Sequence, residues 1–301
     1  MKISIIIPNY NGVAVLAKNL PQVIKQAESA EIIVVDDAST DKSVSLIKNK
    51  FPQIKLVVKK TNTGFAASCN LGVKKSKGEI IILLNHDACP KKDWLKPLLS
   101  HFKDSQVFAV GCLEEDDGIE RGRGVASFKR GWLVHSRGEV DQTNTLWVSG
   151  GSGAFRKSLW QKLGGFDLLY APFYWEDIDL SYRALKAGYQ LVFESQSRVV
   201  HHHIRGAIRQ HHSPTYIKTI AYSNQFLFFW KNITDPRLIA AHFLWMPYHF
   251  ISAALRRDWP FFKGFFLALL KLPAVFRQKQ KATQFSQLKD HQVIAPFKNE
   301  I

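Results

Sequence analysis

The chain has 301 residues, of which 46% are hydrophobic, and a formal net charge of +16 at pH 7. That apolar fraction suffices for a packed core and excludes disorder along most of the chain. The three cysteines, Cys69, Cys89 and Cys112, lack metal-site spacing, and no leader with a cleavage site precedes Ile3, so we expect a cytoplasmic protein.

Short β-branched runs alternate with helical segments over the first hundred residues. The segments 13–28 and 65–76 carry apolar residues at helical spacing, and the runs between such segments are KISIIIP, EIIVVDD, IKLVVKK and EIIILLN. This βα alternation predicts an α/β fold with a mostly parallel central sheet and helices on both faces.

Four polar loops follow these strands, at the sheet edge where ligands of such folds bind. They are PNYNG, DDAST, TNTGF and NHDA, at 8–12, 36–40, 61–65 and 85–88. The first loop lacks the GxGxxG pattern and the chain lacks GxxxxGK[ST], so a bound nucleotide diphosphate would need another counter-charge, most simply a divalent metal. Asp87 follows a strand apolar enough to be buried and could hold Mn²⁺ or Mg²⁺. Asp36 could lie at a binding site or serve a structural role such as helix capping, and the sequence leaves both open.

Three carboxylates occur within four residues in FYWEDIDLSYR, at Glu176, Asp177 and Asp179. Acids favour the first turn of a helix, so this segment is predicted to begin one. On that helix Glu176 and Asp179 lie one turn apart while Asp177 points about 100° away, so the three cannot share one task. Asp179 is expected to pair with Arg183 at i+4.

The triple histidine at 201–203 follows the strand-like run QLVFESQSRVV. Adjacent residues of a strand point to opposite faces, so at most one of them is expected to bind a given metal ion.

The last third of the chain is basic and rich in aromatic residues. From Arg198 to the end it holds 15 Lys or Arg and 4 Asp or Glu, and the segment 238–255 has no charged residue. Apolar faces with cationic flanks predict helices that lie in a membrane interface, with a spanning helix and simple packing on the N-terminal α/β domain as alternatives. The segment 279–301 is interpreted as a weakly ordered tail.

Six motifs together carry a resemblance to a known family. They are SIIIPNYNG, IIVVDDASTD, NTGFAASCNLG, GEIIILLNHDA, SGGSGAFRKSLWQKLGGFD and YWEDIDLSYRALKAGY. In these motifs and their order the chain resembles the family 2 glycosyltransferases, inverting nucleotide-sugar-dependent enzymes with the Rossmann-like GT-A fold, and especially their rhamnosyltransferase-like branch. The resemblance runs from Ile3 to about His203, with a gap at 113–146.

The resemblance implies a donor pocket lined by Pro8, Tyr10, Asp37 and Asn70, with Asp36 beside it. From the same loops and motifs we add further substrate-binding candidates, namely Asn62, Gly64, Asn85, Gly151 and Trp175.

The resemblance also implies roles in metal binding and catalysis. Asp87 corresponds to the metal-binding aspartate of an Asn-x-Asp motif, and His201 is the second expected ligand, with His203 as its alternative. Asp177 would be the general base, and Glu176 would orient the acceptor.

We therefore predict a GT-A catalytic domain at 1–205 and a basic, aromatic-rich helical region at 206–301. The reaction would be metal-dependent sugar transfer from a nucleotide-diphosphate donor to a saccharide or lipid-linked saccharide, in cell-surface polysaccharide or glycolipid synthesis. No QxxRW run follows the acidic motif, which favours addition of one or a few sugars.

The basic region predicts peripheral attachment to the inner face of the plasma membrane. Two other functions are less consistent with the sequence. A non-enzymatic module that binds anionic lipid or nucleic acid would explain the basic region, but no nucleic-acid motif is present. Nucleotidyl transfer would require a glycine-rich first loop, which the chain lacks.

Overall fold

A computed structural model describes residues 1–201, 212–298 and 300. Its strands are Ile3–Asn9 (β1), Glu31–Asp36 (β2), Lys55–Val58 (β3), Ile80–Leu84 (β4), Ala88–Pro90 (β5), Val107–Asp116 (β6), Ile119–Arg121 (β7), Gly124–Lys129 (β8), Trp132–Arg137 (β9), Ser152–Arg156 (β10) and Gln190–His201 (β11). Its α-helices are Val13–Gln26 (α1), Ser43–Lys50 (α2), Phe65–Lys75 (α3), Leu95–Ser100 (α4), Lys157–Lys162 (α5), Glu176–Lys186 (α6), Pro214–Asn232 (α7), Pro236–Leu255 (α8), Trp259–Leu270 (α9), Leu272–Thr283 (α10) and Asp290–Ile294 (α11).

The main sheet has the strand order β3-β2-β1-β4-β10-β6-β11-β5, and β7 pairs with β6. The first four strands of this order are mutually parallel, as the sequence predicts. β10 runs antiparallel between β4 and β6, and β5 pairs antiparallel with the end of β11. The predicted α/β class with a mostly parallel sheet is confirmed.

Hydrophobic cores lie on both faces of this sheet. On one face α1 contributes Leu16, Leu20 and Val23, and on the other α3 contributes Cys69 and Val73. Helix α3 packs closely because Gly72 has no side chain: a Cβ there would lie 2.4 Å from a methyl carbon of Ile6. This close packing holds the loop before α3 at the carboxyl ends of the strands.

A third core joins the C-terminal helices to the rest of the protein. The β8–β9 hairpin, which belongs to the stretch without a recognised motif, packs on α7, where the rings of Trp132 and Phe226 lie 4.6 Å apart. Buried Phe228 of α7 packs on Trp175, immediately before α6. The predicted boundary near residue 205 lies outside the described residues.

The interpretation of 279–301 as a weakly ordered tail is wrong for its described part. Helix α10 continues to Thr283, and α11 places Asp290 in a fully buried position. Its carboxylate accepts hydrogen bonds from Tyr182 Oη and Lys186 Nζ, both at 2.8 Å. The local sequence pattern does not predict these contacts of Asp290, because Tyr182 and Lys186 lie more than a hundred residues away along the chain.

Candidate active site

A cavity of about 630 Å³ opens at the carboxyl ends of β1 and β4. The loops after those strands meet there with the loop before α3, the start of β10 and the start of α6. Most of the predicted site residues line this cavity, namely Pro8, Tyr10, Asp37, Asn62, Gly64, Asn85, Asp87, Gly151, Glu176, Asp177 and His201. The sheet topology thus brings together residues from all six motifs, together with His201, from almost two hundred positions of the chain.

Three predicted site residues do not line the cavity. Asp36 is fully buried and accepts hydrogen bonds from Asn9 Nδ2 at 2.9 Å and Ser39 Oγ at 2.7 Å. The Asn70 amide exchanges hydrogen bonds with both backbone groups of Phe166. The Trp175 ring packs in the third core. Their side chains fix the surrounding loops.

Asp37 both lines the cavity and holds one of its loops. It accepts hydrogen bonds from the backbone N–H groups of Thr63 at 3.0 Å and Gly64 at 2.7 Å. Gly64 has a φ of +88°, which favours glycine. Lys59 Nζ lies 2.5 Å from the Asp37 carboxylate. The sequence does not predict this ion pair, because nothing in KKTNTG distinguishes Lys59 from the neighbouring Lys60.

The predicted metal ligands face each other. In the sheet, His201 pairs with Ala88 across β11 and β5, which brings His201 next to Asp87. The distance from His201 Nε2 to Asp87 Oδ1 is 3.2 Å, and that from Nε2 to Asn85 Nδ2 is 3.4 Å. The other ring nitrogen, Nδ1, lies 3.4 Å from Glu114 Oε2. The alternative ligand His203 lies outside the described residues.

Electrostatic contacts determine the direction in which the pKa values of His201 and Asp87 shift. Burial alone would lower the pKa of His201, but its contacts with Asp87 and Glu114 outweigh burial and raise that pKa to about 10. Burial would raise the pKa of Asp87, whereas His201 holds that pKa below its usual range.

One carboxylate and one imidazole are donors that suit Mn²⁺. Within the described residues no cluster of three or more His, Cys, Asp or Glu side chains could hold a metal ion. A metal at Asp87 and His201 would have these two ligands from the described part of the chain and would accept further ones, such as water. The pair thus fits a metal that keeps coordination positions open for a diphosphate.

Glu176 and Asp177 form an acidic pair that lines the same cavity. They begin α6 after Tyr174 and Trp175, whose φ angles of +70° and +77° turn the chain sharply. Burial, followed by the charge of Asp177, raises the pKa of Glu176 to about 8. Burial also raises the pKa of Asp177 to about 6. Carboxylates with such raised pKa values can exchange protons near neutral pH.

Asp179 has a different environment from the other two acids. It is fully buried and accepts hydrogen bonds from Arg183 Nε at 2.9 Å, which confirms the predicted pair, and from Lys231 Nζ at 2.8 Å. Although burial opposes ionisation, Lys231 and Arg183 hold the pKa of Asp179 well below its usual range. The partner Lys231 lies on α7 and was not predicted.

Helix α7 also holds the loop that precedes the acidic pair. The buried Asn224 Nδ2 lies 2.8, 2.9 and 3.0 Å from the carbonyl oxygens of Tyr170, Phe173 and Tyr174. No local pattern in the sequence predicts these contacts, since the partners lie about fifty residues apart. The C-terminal helices therefore contribute to the geometry of the cavity wall.

The outer side of α8–α10 is an exposed apolar surface, which we define by Phe243, Leu244, Ile251, Leu255, Trp259, Phe266, Leu270 and Phe276. Within the described residues, α8 is long and apolar enough to cross a membrane, and α9 with α10 passes the same criteria as a pair bent by 70°. The other side of α8 packs on the protein, where the ring of His242 stacks on Phe229 at 4.1 Å.

Comparison with known proteins agrees with this geometry. The sequence profile of the family "Glycosyl transferase family 2" matches residues 4–164. An uncharacterized glycosyltransferase of Haemophilus influenzae is 37% identical over 33% of this chain, a match that spans 41% of that protein. The O-antigen chain rhamnosyltransferase RfbN of Salmonella typhimurium is 27% identical over 67% of this chain and 67% of its own length.

Solved structures share the fold. The crystal structure of GalNAc-T7 with UDP, GalNAc and Mn²⁺ matches with a TM-score of 0.63 and 20% identity, over 78% of this chain and 48% of that one. The mannosyltransferase PcManGT from Pyrobaculum calidifontis, in complex with GDP-Man and Mn²⁺, matches with a TM-score of 0.57 and 17% identity, over 94% and 85% of the two chains. The predicted GT-A fold is thereby confirmed, and the chain belongs to glycosyl transferase family 2.

Proposed function

We propose that this glycosyltransferase moves a sugar, with inversion, from a nucleotide-diphosphate donor to a saccharide or lipid-linked saccharide. One observation carries the proposal: a single cavity holds the Asp87–His201 pair and the Glu176–Asp177 pair. The first pair suits a leaving diphosphate, and the second suits a hydroxyl that must lose a proton. A non-enzymatic lipid- or nucleic-acid-binding module would have no use for this combination.

The donor would occupy the wall formed by Pro8, Tyr10 and Asp37. A divalent metal, Mn²⁺ or Mg²⁺, bound at Asp87 and His201 would neutralise negative charge on the diphosphate as it leaves. The Mn²⁺ in the structures of GalNAc-T7 and PcManGT supports this assignment, as do the nucleotides bound there.

Asp177 would act as the general base. Its carboxylate takes the proton of the acceptor hydroxyl while that oxygen bonds to the anomeric carbon, and the bond from that carbon to the diphosphate oxygen breaks. Attack from the face opposite the diphosphate inverts the anomeric configuration. Glu176, which lines the cavity beside Asp177, would orient the acceptor.

The exposed apolar surface supports a membrane-anchored acceptor. Exposed cations flank it, namely Arg237, Arg256, Arg257, Lys263 and Arg277. Each cation near an anionic bilayer contributes about 1 kcal/mol of attraction. We propose that α8–α10 lie in the inner interface of the plasma membrane, where the enzyme would build cell-surface polysaccharide or glycolipid. The similarity to an O-antigen chain rhamnosyltransferase supports this role.

A donor screen tests the proposed activity. Purified protein is incubated with individual nucleotide sugars, with and without Mn²⁺, and release of the nucleoside diphosphate is followed together with the thermal midpoint. We expect one donor to raise the midpoint and to be hydrolysed slowly, both only with metal. Absence of stabilisation and hydrolysis across the common UDP-, GDP- and dTDP-sugars would contradict the proposal.

A further inference from the structure

We infer that Glu114 is a positioning residue that orients the His201 imidazole at the candidate metal site. The inference rests on the proposed metal site of the glycosyltransferase and adds a residue from the stretch where the sequence resembles no family motif. Glu114 would act through His201 without touching the metal itself.

The geometry around His201 supports this role. Its Nε2 faces Asp87 at 3.2 Å, while its Nδ1 faces Glu114 Oε2 at 3.4 Å on the other side of the ring. In the sheet Glu114 pairs with Val199, two residues before His201, so neighbouring strands place the two side chains together. A carboxylate at Nδ1 keeps the proton on that nitrogen, so that Nε2 is the nitrogen that gives up its proton and becomes the ligand when a metal binds.

Glu114 is itself held in place. Its side chain is 4% exposed, and Ser152 Oγ donates a hydrogen bond to its Oε1 at 2.5 Å. A carboxylate buried this deeply is costly unless it is paired. The Ser152 contact uses one carboxylate oxygen and leaves the other directed at His201, so the chain Ser152–Glu114–His201 fixes the plane of the imidazole.

The adjacent residue Glu115 provides a matched control. It lies on the same strand but points to the opposite face, where it forms ion pairs with Lys91 at 2.5 Å and Arg198 at 3.0 Å. Its substitution removes the same charge from the same strand without touching His201.

Binding of Mn²⁺ alone, measured from the EPR signal of the free ion, tests the inference without any sugar substrate. We expect Glu114→Leu to weaken Mn²⁺ binding by about 10- to 100-fold, the usual effect of removing such a partner. Glu114→Gln, which keeps an acceptor oxygen for Nδ1–H, should lose less. Glu115→Gln should bind Mn²⁺ like the unmodified protein, and thermal midpoints without metal confirm that each variant is folded.

A double-mutant cycle separates positioning from direct ligation. In a His201→Asn background, Glu114→Leu should cause no further loss, because Glu114 acts through the absent ring. Electron spin echo modulation from the imidazole nitrogen should be strong in the unmodified protein and weakened by Glu114→Leu.

Additive losses in the cycle, unchanged Mn²⁺ affinity of Glu114→Leu, or no Mn²⁺ binding by the unmodified protein would each overturn the inference. The donor screen is scored separately. The expected Mn²⁺ pattern in a protein that hydrolyses no donor would therefore contradict the proposed function and retain the inference about Glu114.

Discussion

Two aspartates two residues apart show how strongly local surroundings determine the chemistry of a side chain. Asp177 faces the cavity, and burial there raises its pKa. Asp179 faces Arg183 and Lys231, which hold its pKa down in spite of burial. The sequence predicts the helix and the Arg183 pair because both are local, whereas the position of Lys231 depends on the packing of α7.

The raised pKa of Asp177 predicts an acid limb in the pH dependence of transfer. A base acts only when ionised, so the rate should fall as pH decreases through the Asp177 pKa of about 6. The measurement is the transfer rate between pH 5 and 8 at saturating donor and metal. A rate that stays constant from pH 8 down to pH 5 would exclude Asp177 as the base.

Asp179→Asn should destabilise the fold by about 3–5 kcal/mol, because the buried Arg183 loses its carboxylate partner and Lys231 keeps only Asp167. The pKa of Asp179 is depressed in the folded state, so its contribution is present above the unfolded pKa of about 3.9 and is lost as pH falls through the lower folded value. Urea unfolding at pH 7 measures the effect. Equal stability of Asp179→Asn and the unmodified protein would contradict the ion-pair account.

At the scale of elements, the sequence predicts what depends on local pattern. The runs ending in Asn9, Asp36 and Leu84 form parallel strands, and the acidic motif begins α6, as expected. The antiparallel insertion of β10 and the short β5 depend on contacts between distant segments, so the pattern does not reveal them. The family motifs predict most of the residues that line the cavity. Asp36, Asn70 and Trp175 do not line it, and their side chains hold the surrounding loops in place.

The contact between α7 and the loop before α6 predicts a role for Asn224. Asn224→Ala removes a donor shared by three carbonyl oxygens, which should lower stability by about 1–3 kcal/mol and allow the loop before α6 to move. Transfer should therefore fall more than donor binding does. The control is Gln225→Ala, since that side chain makes one long contact of 3.4 Å to Leu133 O. Equal losses of transfer in the two variants would show that Asn224 has no specific role.

At the scale of the whole molecule, the C-terminal helices have two sides with different partners. Their inner side completes the third core, so removal of everything after α7 would expose buried residues of α7 such as Phe226 and Phe229. Point substitutions on the outer side are therefore the suitable probe of membrane attachment.

Leu244→Glu combined with Leu255→Glu should release the protein from vesicles that contain anionic lipid, because two of the most exposed apolar side chains become charged. Co-sedimentation at physiological salt is the measurement, and donor binding should be unchanged. Ile119→Glu, which alters an exposed apolar residue on the distant strand β7, serves as the control. If the unmodified protein stays in the supernatant even at low salt, the attachment proposal fails.

The most direct test of the central claim is sugar transfer by Asp177→Asn, measured beside donor binding with the donor identified by the screen. Asparagine keeps the size of the side chain but cannot take the acceptor proton. The account predicts a transfer rate lower by about 10²–10⁴-fold, with donor affinity and thermal midpoint maintained. Transfer at a nearly unchanged rate would contradict the assignment of the base and, with it, the proposed mechanism.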